Sequence, residues 1–327
     1  MKSFNGREND TFRTLRGIDL RCLLEYLNTY LIEYRDDINL PKYVTFGVEI
    51  EYEGIEGKIK KYIENEYKSW RYDFDASLKL GGGEIVSPIL TDNKKTWDDL
   101  KCICDYLNKN GVDTLHNSGG HIHYGALILG QDYDLWINFI KLYAVYEHIL
   151  YVFSYGDKTT GRKEINSYAN PVVNQLVFVL NKLKELGKDN LFKIIDDWSK
   201  YYSLNFDIRS DLTSSTLTDK DTLEFRSPNG TTNHVVWQNN INAFGKLLKT
   251  VKEKKLDIEY LDYRIDNMSF IYKDYLYNEI NLKDVLEFVD LIFDNNLDKL
   301  NFLRQYIGDF RGMYEVERNV YKKKFTR

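Results

Sequence analysis

The stretch YVTFGVEIEYEG, residues 43–54, alternates without a break. Val44, Phe46, Val48, Ile50 and Tyr52 fall on one side, and Thr45, Gly47, Glu49 and Glu51 fall on the other. Successive side chains of a β-strand point to opposite faces, so this period of two predicts a strand with one apolar and one polar face. A strand split in this way requires a cover on one side only. The chain is thereby directed toward an α+β architecture, with helices over the apolar side of a sheet.

The same split recurs along the chain. RYDFDASLKLGGGEIVSPIL, residues 71–90, predicts two short strands joined by a Gly-rich turn, with Glu84 just beyond the turn and Pro88 closing the second strand. GGHIHYGALIL, residues 119–129, predicts another strand, and YYSLNFDI (201–208) and DTLEFRSPNG (221–230) predict two more. The polar segment between these last two suits a hairpin loop or lid. Helical spacing marks residues 18–34, a charged stretch near 57–70, 135–153 and 174–186. It also marks 96–110, where Thr96 is the expected N-cap and Gly111 the C-terminal cap. From Val235 onward the pattern is mostly helical, ending in the basic tail YKKKFTR. The expected organisation is an N-terminal arm and helix (1–40), one large α+β domain (41–250) and a C-terminal helical region packed on it (251–327).

Composition removes several function classes. With 50 acidic and 45 basic residues mixed along 327, the chain has no basic stripe, so nucleic acid is not an expected partner. A 43% hydrophobic content with 26 tyrosines describes a globular chain with ring-lined interior and clefts. Cys22, Cys102 and Cys104 are spaced poorly for a disulfide framework and are expected to be reduced core thiols. The first residues, MKSFNGREND, carry no apolar signal core, and no apolar run is long enough to span a bilayer, so a cytoplasmic location is expected.

Because side chains alternate across a strand, Glu49 and Glu51 share a face, as do His121 and His123, and Glu224 and Arg226. If these strands lie in one sheet, and Glu84 joins them, at least four carboxylates, two imidazoles and a guanidinium converge. Carboxylates so crowded cannot all stay ionised without a counter-charge, and a divalent cation is the natural one. Carboxylate and imidazole donors without thiolate suit Mg²⁺ or Mn²⁺. Metal ions beside Arg226 would suit a nucleotide triphosphate. Read alone, Glu-x-Glu is an ordinary solvated strand face and LEFR an ordinary ion pair; His-x-His is the more specific signal. His116 is read as a loop residue.

The ordered set FGVEIEYEG, DASL…GGGEIVSPIL, GGHIHYGA, YYSLNF and TLEFRSPNGT resembles the amidoligase family, a branch of the glutamine synthetase and glutamate–cysteine ligase superfamily. The resemblance runs from about residue 43 to 248. It implies a glutamine synthetase-like catalytic fold, in which a curved, mainly antiparallel sheet holds ATP and divalent metals and helices cover its other face. It also implies an ATP-dependent ligase, forming an amide or isopeptide bond through an acyl phosphate. By the same resemblance Glu49, Glu51, Glu84, His121 and Glu224 would be metal ligands. Arg226 would contact the transferring phosphoryl group, and His123 the nucleotide or substrate. Asp75, Ser77, Asn205 and Arg162 would make substrate or phosphate contacts, Asp75 being the one candidate base. Gly119 and Gly120 would let the backbone approach phosphate.

The expected partners are a small-molecule or peptide carboxylate and an amine; neither nucleic acid nor membrane is expected. Two other readings stay open. One is a hydrolase or oxygenase in which His121, His123 and a glutamate hold a metal with an open position. The other is a non-catalytic nucleotide-binding module on the same fold. No feature of the sequence decides the oligomeric state or the role of residues 251–327.

Overall fold

The computed structural model describes residues 25–27, 29–78, 81–112, 114, 117–158, 161–162, 165–195, 198, 200–208, 217–253, 256–268 and 282–308. His116, Cys22 and the basic tail lie outside these, as does most of the stretch between the last two expected strands. Six strands form one sheet: β1 (Phe46–Tyr52), β2 (Arg71–Asp73), β3 (Gly83–Val86), β4 (Gly120–Gly125), β5 (Leu204–Asp207) and β6 (Thr222–Phe225). Their order is β2-β3-β1-β4-β6-β5, and every neighbouring pair is antiparallel. The strand expected over 119–129 stops at Gly125 and gives way to a 3-10 turn, Ala126–Ile128.

From Glu56 onward, ten α-helices are described in chain order. They are α1 (Glu56–Glu66), α2 (Lys94–Asn110), α3 (Tyr133–Ser154), α4 (Ile165–Tyr168), α5 (Val173–Leu186), α6 (Leu191–Ile195), α7 (His234–Lys252), α8 (Ile258–Asp266), α9 (Leu282–Ile292) and α10 (Asn296–Ile307). The N-cap of α2 is Asn93 rather than Thr96, because the Asn93 side chain accepts from the Thr96 amide and draws the helix start three residues back. Gly111 closes the helix in the left-handed conformation, as expected. The helix expected to reach Tyr34 ends by Thr29, and the chain then runs extended through a bridge at Ile32. Cys102 is exposed and only Cys104 is buried, since residues two apart on a helix face opposite ways.

Apolar rows cross the sheet on one face. Val48, Ile122, Phe225 and Leu204 stand opposite one another in successive strands, as do Phe46, Tyr124, Leu223 and Phe206. Helices α2, α3 and α7 close this face. Phe46 stacks on Trp97 of α2, Phe225 stacks on Phe244 of α7 at 4.2 Å between centroids, and Phe139 and Tyr143 of α3 meet the edges of Phe225. The Tyr124 hydroxyl, fully buried, donates to the Ile241 carbonyl.

The C-terminal helices form a second layer on α3 and α7. Much of that contact is polar. Asp298 is fully buried and accepts from Arg35 Nη2 at 2.8 Å and Asn242 Nδ2 at 2.8 Å. Gln305 donates to the Phe153 carbonyl and Asn240, and Asn239 donates to Gln305. Between α3, α8 and α9, Arg264 pairs with Asp284 and Glu287, each at 3.0 Å, and His148 reaches Asp284 at 3.0 Å. Removing one partner of a buried ionic contact strands the others in a low-dielectric site. Asp298→Ala is therefore expected to lower the unfolding free energy by about 3–5 kcal/mol in urea titrations. A loss below about 1 kcal/mol would mean that α10 is only loosely attached.

Candidate active site

The polar face is assembled by register. Glu51 stands opposite Glu84, and Glu84 opposite Asp73; Glu49 stands opposite His121; His123 stands opposite Glu224, and Glu224 opposite Asn205. Residues directly opposite across a ladder share a face with Cβ atoms about 4.5–5.5 Å apart, so this pairing alone gathers the set. Of this set, Glu49, Glu51, Glu84 and His121 border a cleft of about 510 Å³, which Arg162, Arg226, Asp75 and Ser77 also line.

Both histidines face the same two carboxylates. His121 Nδ1 lies 3.0 Å from Glu49 Oε2 and 3.4 Å from Glu224 Oε1, and its Nε2 lies 3.5 Å from Glu51 Oε1. His123 Nε2 lies 3.0 Å from Glu49 Oε1 and 3.9 Å from Glu224 Oε1. The shorter of these is out of line for a hydrogen bond, which leaves the buried Nε2 without one. Among the described residues, Glu49, His123 and Glu224 form the set whose donor atoms all lie within 4.8 Å of one another. His123, expected to face nucleotide or substrate, is thus as well placed toward the shared carboxylates as His121.

Arg226 continues the alternation of β6 by one residue. Its Nη1 lies 2.5 Å from Glu224 Oε1, and its Nε reaches the Tyr168 carbonyl at 3.4 Å. Asn205 donates to Glu224 Oε2 at 2.9 Å and so orients that carboxylate. Arg162 is buried and donates to the carbonyls of Arg226 and Pro228, clamping the end of β6 with its charge beside the cleft. Asp75 Oδ1 accepts from the Ser77 amide at 2.8 Å, so the D-x-S element is a self-capped turn in the cleft wall.

The amides of the paired glycines are bonded within the site. The Gly119 amide donates to Glu51 Oε2, and the Gly120 amide to the Pro228 carbonyl. A Cβ at Gly119 would lie 2.8 Å from His121 Nε2, 3.2 Å from Glu51 Oε2 and 3.3 Å from Arg162 Cζ. The space a side chain would fill is taken by the site's own residues. Glycine is required here so that the acidic and basic groups can close around the backbone. Sequence reasoning passed over Asn117, Tyr168, Lys200 and Tyr201, which also line the cleft. Tyr201 stands inside a stretch quoted above, but nothing in its spacing marked it.

The electrostatics follow from crowding. Burial, together with the charges of Glu49 and Glu51, pushes the Glu84 carboxyl up to about 9. Burial also acts to raise Glu49, but the hydrogen bond from His121 and the charge of both facing imidazoles outweigh it and hold Glu49 well below the usual carboxylate range. Burial opposes protonation of His123, yet the neighbouring Glu49 and Glu224 prevail and raise it. A carboxyl forced to keep its proton and an imidazole nitrogen lacking a hydrogen bond are both answered by a divalent cation. The donors, oxygen and imidazole nitrogen with no thiolate, fit one.

The family described as "Putative amidoligase enzyme" has a model that matches residues 62–248, more than half of the chain, and the chain belongs to that family. Membership gives it a function of ligase type. The matched span begins after β1, so Glu49 and Glu51 lie outside it. Among solved structures, one described as "Crystal structure of novel glutamine synthase homolog" is 13% identical, with 85% of this chain and 67% of that chain covered at a TM-score of 0.42. No curated protein matches the chain. No helix among the described residues is long and apolar enough to cross a membrane.

Glu84 links this site to pH. Its folded pKa lies above the unperturbed 4.5, so its protonated form favours the folded state. That contribution is complete below pH 4.5 and is lost as the pH rises toward about 9. Glu49, shifted the other way, stabilises above 4.5 and loses that effect only in strong acid. Without metal, the thermal midpoint is expected to fall between pH 6 and 9, with excess MgCl₂ restoring it most at the alkaline end and Glu84→Gln flattening the trend. Scanning fluorimetry in EDTA and in MgCl₂ reads this directly; a magnesium effect independent of pH would contradict the assignment.

Proposed function

We propose that the protein is an ATP-dependent carboxylate–amine ligase of the cytoplasm that forms an amide or isopeptide bond through an acyl phosphate. The observation that carries this reading is the polar face itself, where Glu49, Glu51, Glu84 and Glu224 meet two imidazoles by register and Glu49, Glu51, Glu84, His121 and Arg226 line one cleft. Family membership supports the ligase class. Glu49, Glu51, Glu84, His121 and Glu224 would hold Mg²⁺ or Mn²⁺, with His123 beside them. Such ions align phosphate oxygens and spread their charge.

In the first step an oxygen of the acid's carboxylate takes the γ-phosphoryl group of ATP, giving the acyl phosphate and ADP. In the second, the amine attacks the acyl carbon, phosphate leaves with the bonding pair, and the amine loses a proton. Direct attack on a carboxylate fails because oxide is a poor leaving group; phosphate is a good one. Arg226, fixed by Glu224 and the Tyr168 carbonyl, faces the cleft where phosphoryl charge would develop. Arg162 adds positive charge from behind Gly119. Asp75 lines the cleft outside the crowded carboxylates and is the candidate to take the amine's proton.

Hydroxylamine intercepts acyl phosphates as hydroxamates, which added iron(III) turns into coloured complexes, so it serves as a surrogate amine while acids are screened. Hydroxamate and ADP are expected to form together, only with Mg²⁺ or Mn²⁺ and an acid present. Arg226→Ala and Glu224→Ala are each expected to lower the rate by about 10²–10³-fold. Unchanged turnover in these variants would refute the assignment. Tightly held zinc or iron without any response to nucleotide would favour the hydrolase or oxygenase instead.

A further inference from the structure

One wall of the cleft carries side chains that neither the metal set nor the phosphoryl chemistry uses. Tyr168, at the end of α4, and Lys200 and Tyr201, just before β5, line the cleft together with Arg226. They come from separate stretches that are locked together. Asn170 and Tyr202 form a parallel bridge, with Asn170 N donating to Tyr201 O at 2.6 Å and Ser203 N to Asn170 O at 2.8 Å. Behind the bridge Glu147, fully buried, accepts from the amides of Val172 and Val173 and from the Ser203 hydroxyl. The Tyr168 carbonyl accepts from Arg226 Nε, which ties the wall to that arginine.

So firmly held a wall still leaves its rings partly exposed. Tyr168 and Tyr201 are 38% and 42% exposed and meet edge to face at 6.1 Å and 64°. Lys200 Nζ stands 5.6 Å over the Tyr201 ring. Aromatic rings attract a third ring through offset or edge-on contacts. An ammonium beside them adds a seat for a negative charge.

We propose that Tyr168, Tyr201 and Lys200 form the subsite for the non-reacting part of the acid substrate, and that this part is an aromatic ring bearing or adjoining a second negative charge. The ring lies against the tyrosines and the charge at Lys200, with the reacting carboxylate directed toward Arg226. The place of this subsite in the reaction rests on the ligase reading; its ability to bind such an acid does not.

The test is calorimetry on the full chain with four probes: acetate, succinate, benzoate and terephthalate, which has neither extra feature, the second charge, the ring, or both. Terephthalate is expected to bind tightest and acetate weakest. Tyr201→Ala should erase the gain from the ring, about two- to tenfold, and Lys200→Gln the gain from the second charge. Both variants should keep the wild-type thermal midpoint and the wild-type affinity for Mg²⁺ with a non-hydrolysable ATP analogue. Ring-bearing acids that bind no better than acetate and succinate would overturn the proposal. So would variants that weaken the analogue instead, because the wall would then be a nucleotide face. Failure of the wild type to bind the analogue would sink the ligase reading alone, since the acid series is read without nucleotide.

Discussion

The pairing of β1 between β3 and β4 is the constraint on which the rest depends. With Glu51 opposite Glu84 and Glu49 opposite His121, the two glutamates of the first strand meet partners from both neighbours on one face. A slip of one residue would turn Glu49 and Glu51 into the core and bring Val48 and Ile50 into the cleft. The apolar rows under α2, α3 and α7 prevent that slip. The same packing that stabilises the sheet therefore sets the geometry of the charges.

Those charges are expensive to hold together, and the structure offsets them locally. Two imidazoles stand against Glu49 and Glu224, Arg226 stands against Glu224, and Arg162 brings its charge up behind Gly119. Even so, Glu84 is driven to keep its proton. The folded chain without a cation is thus short of positive charge in this cleft, which connects folding stability, metal binding and pH in one cluster of residues.

Much of this was legible from residue order. Alternation marked β1 and β4, and the same rule placed each polar pair on a common face. The helix signals located α3 and α5 within a residue or two. Where the reading missed, a side chain formed a contact that local pattern does not encode. Asn93 displaced Thr96 as the cap of α2, and the N-terminal helix stopped by Thr29. The polar seam at Asp298 was illegible for the same reason, since buried Asn, Gln, Arg and Asp read as surface until their partners are known.

By itself the sequence determined which side chains share a face, because strand alternation is a property of the backbone and acts over two residues. It also determined the donor chemistry, carboxylate and imidazole without thiolate. Only the tertiary structure decided which of those faces meet, and in what register. That choice depends on contacts between residues far apart in the chain: the bridge from Asn170 to Tyr202, the clamp of Arg162 on β6, and the shared grip of His121 and His123 on Glu49 and Glu224. No local pattern carries such information, because the free energy that selects a register is spread over the whole packed face.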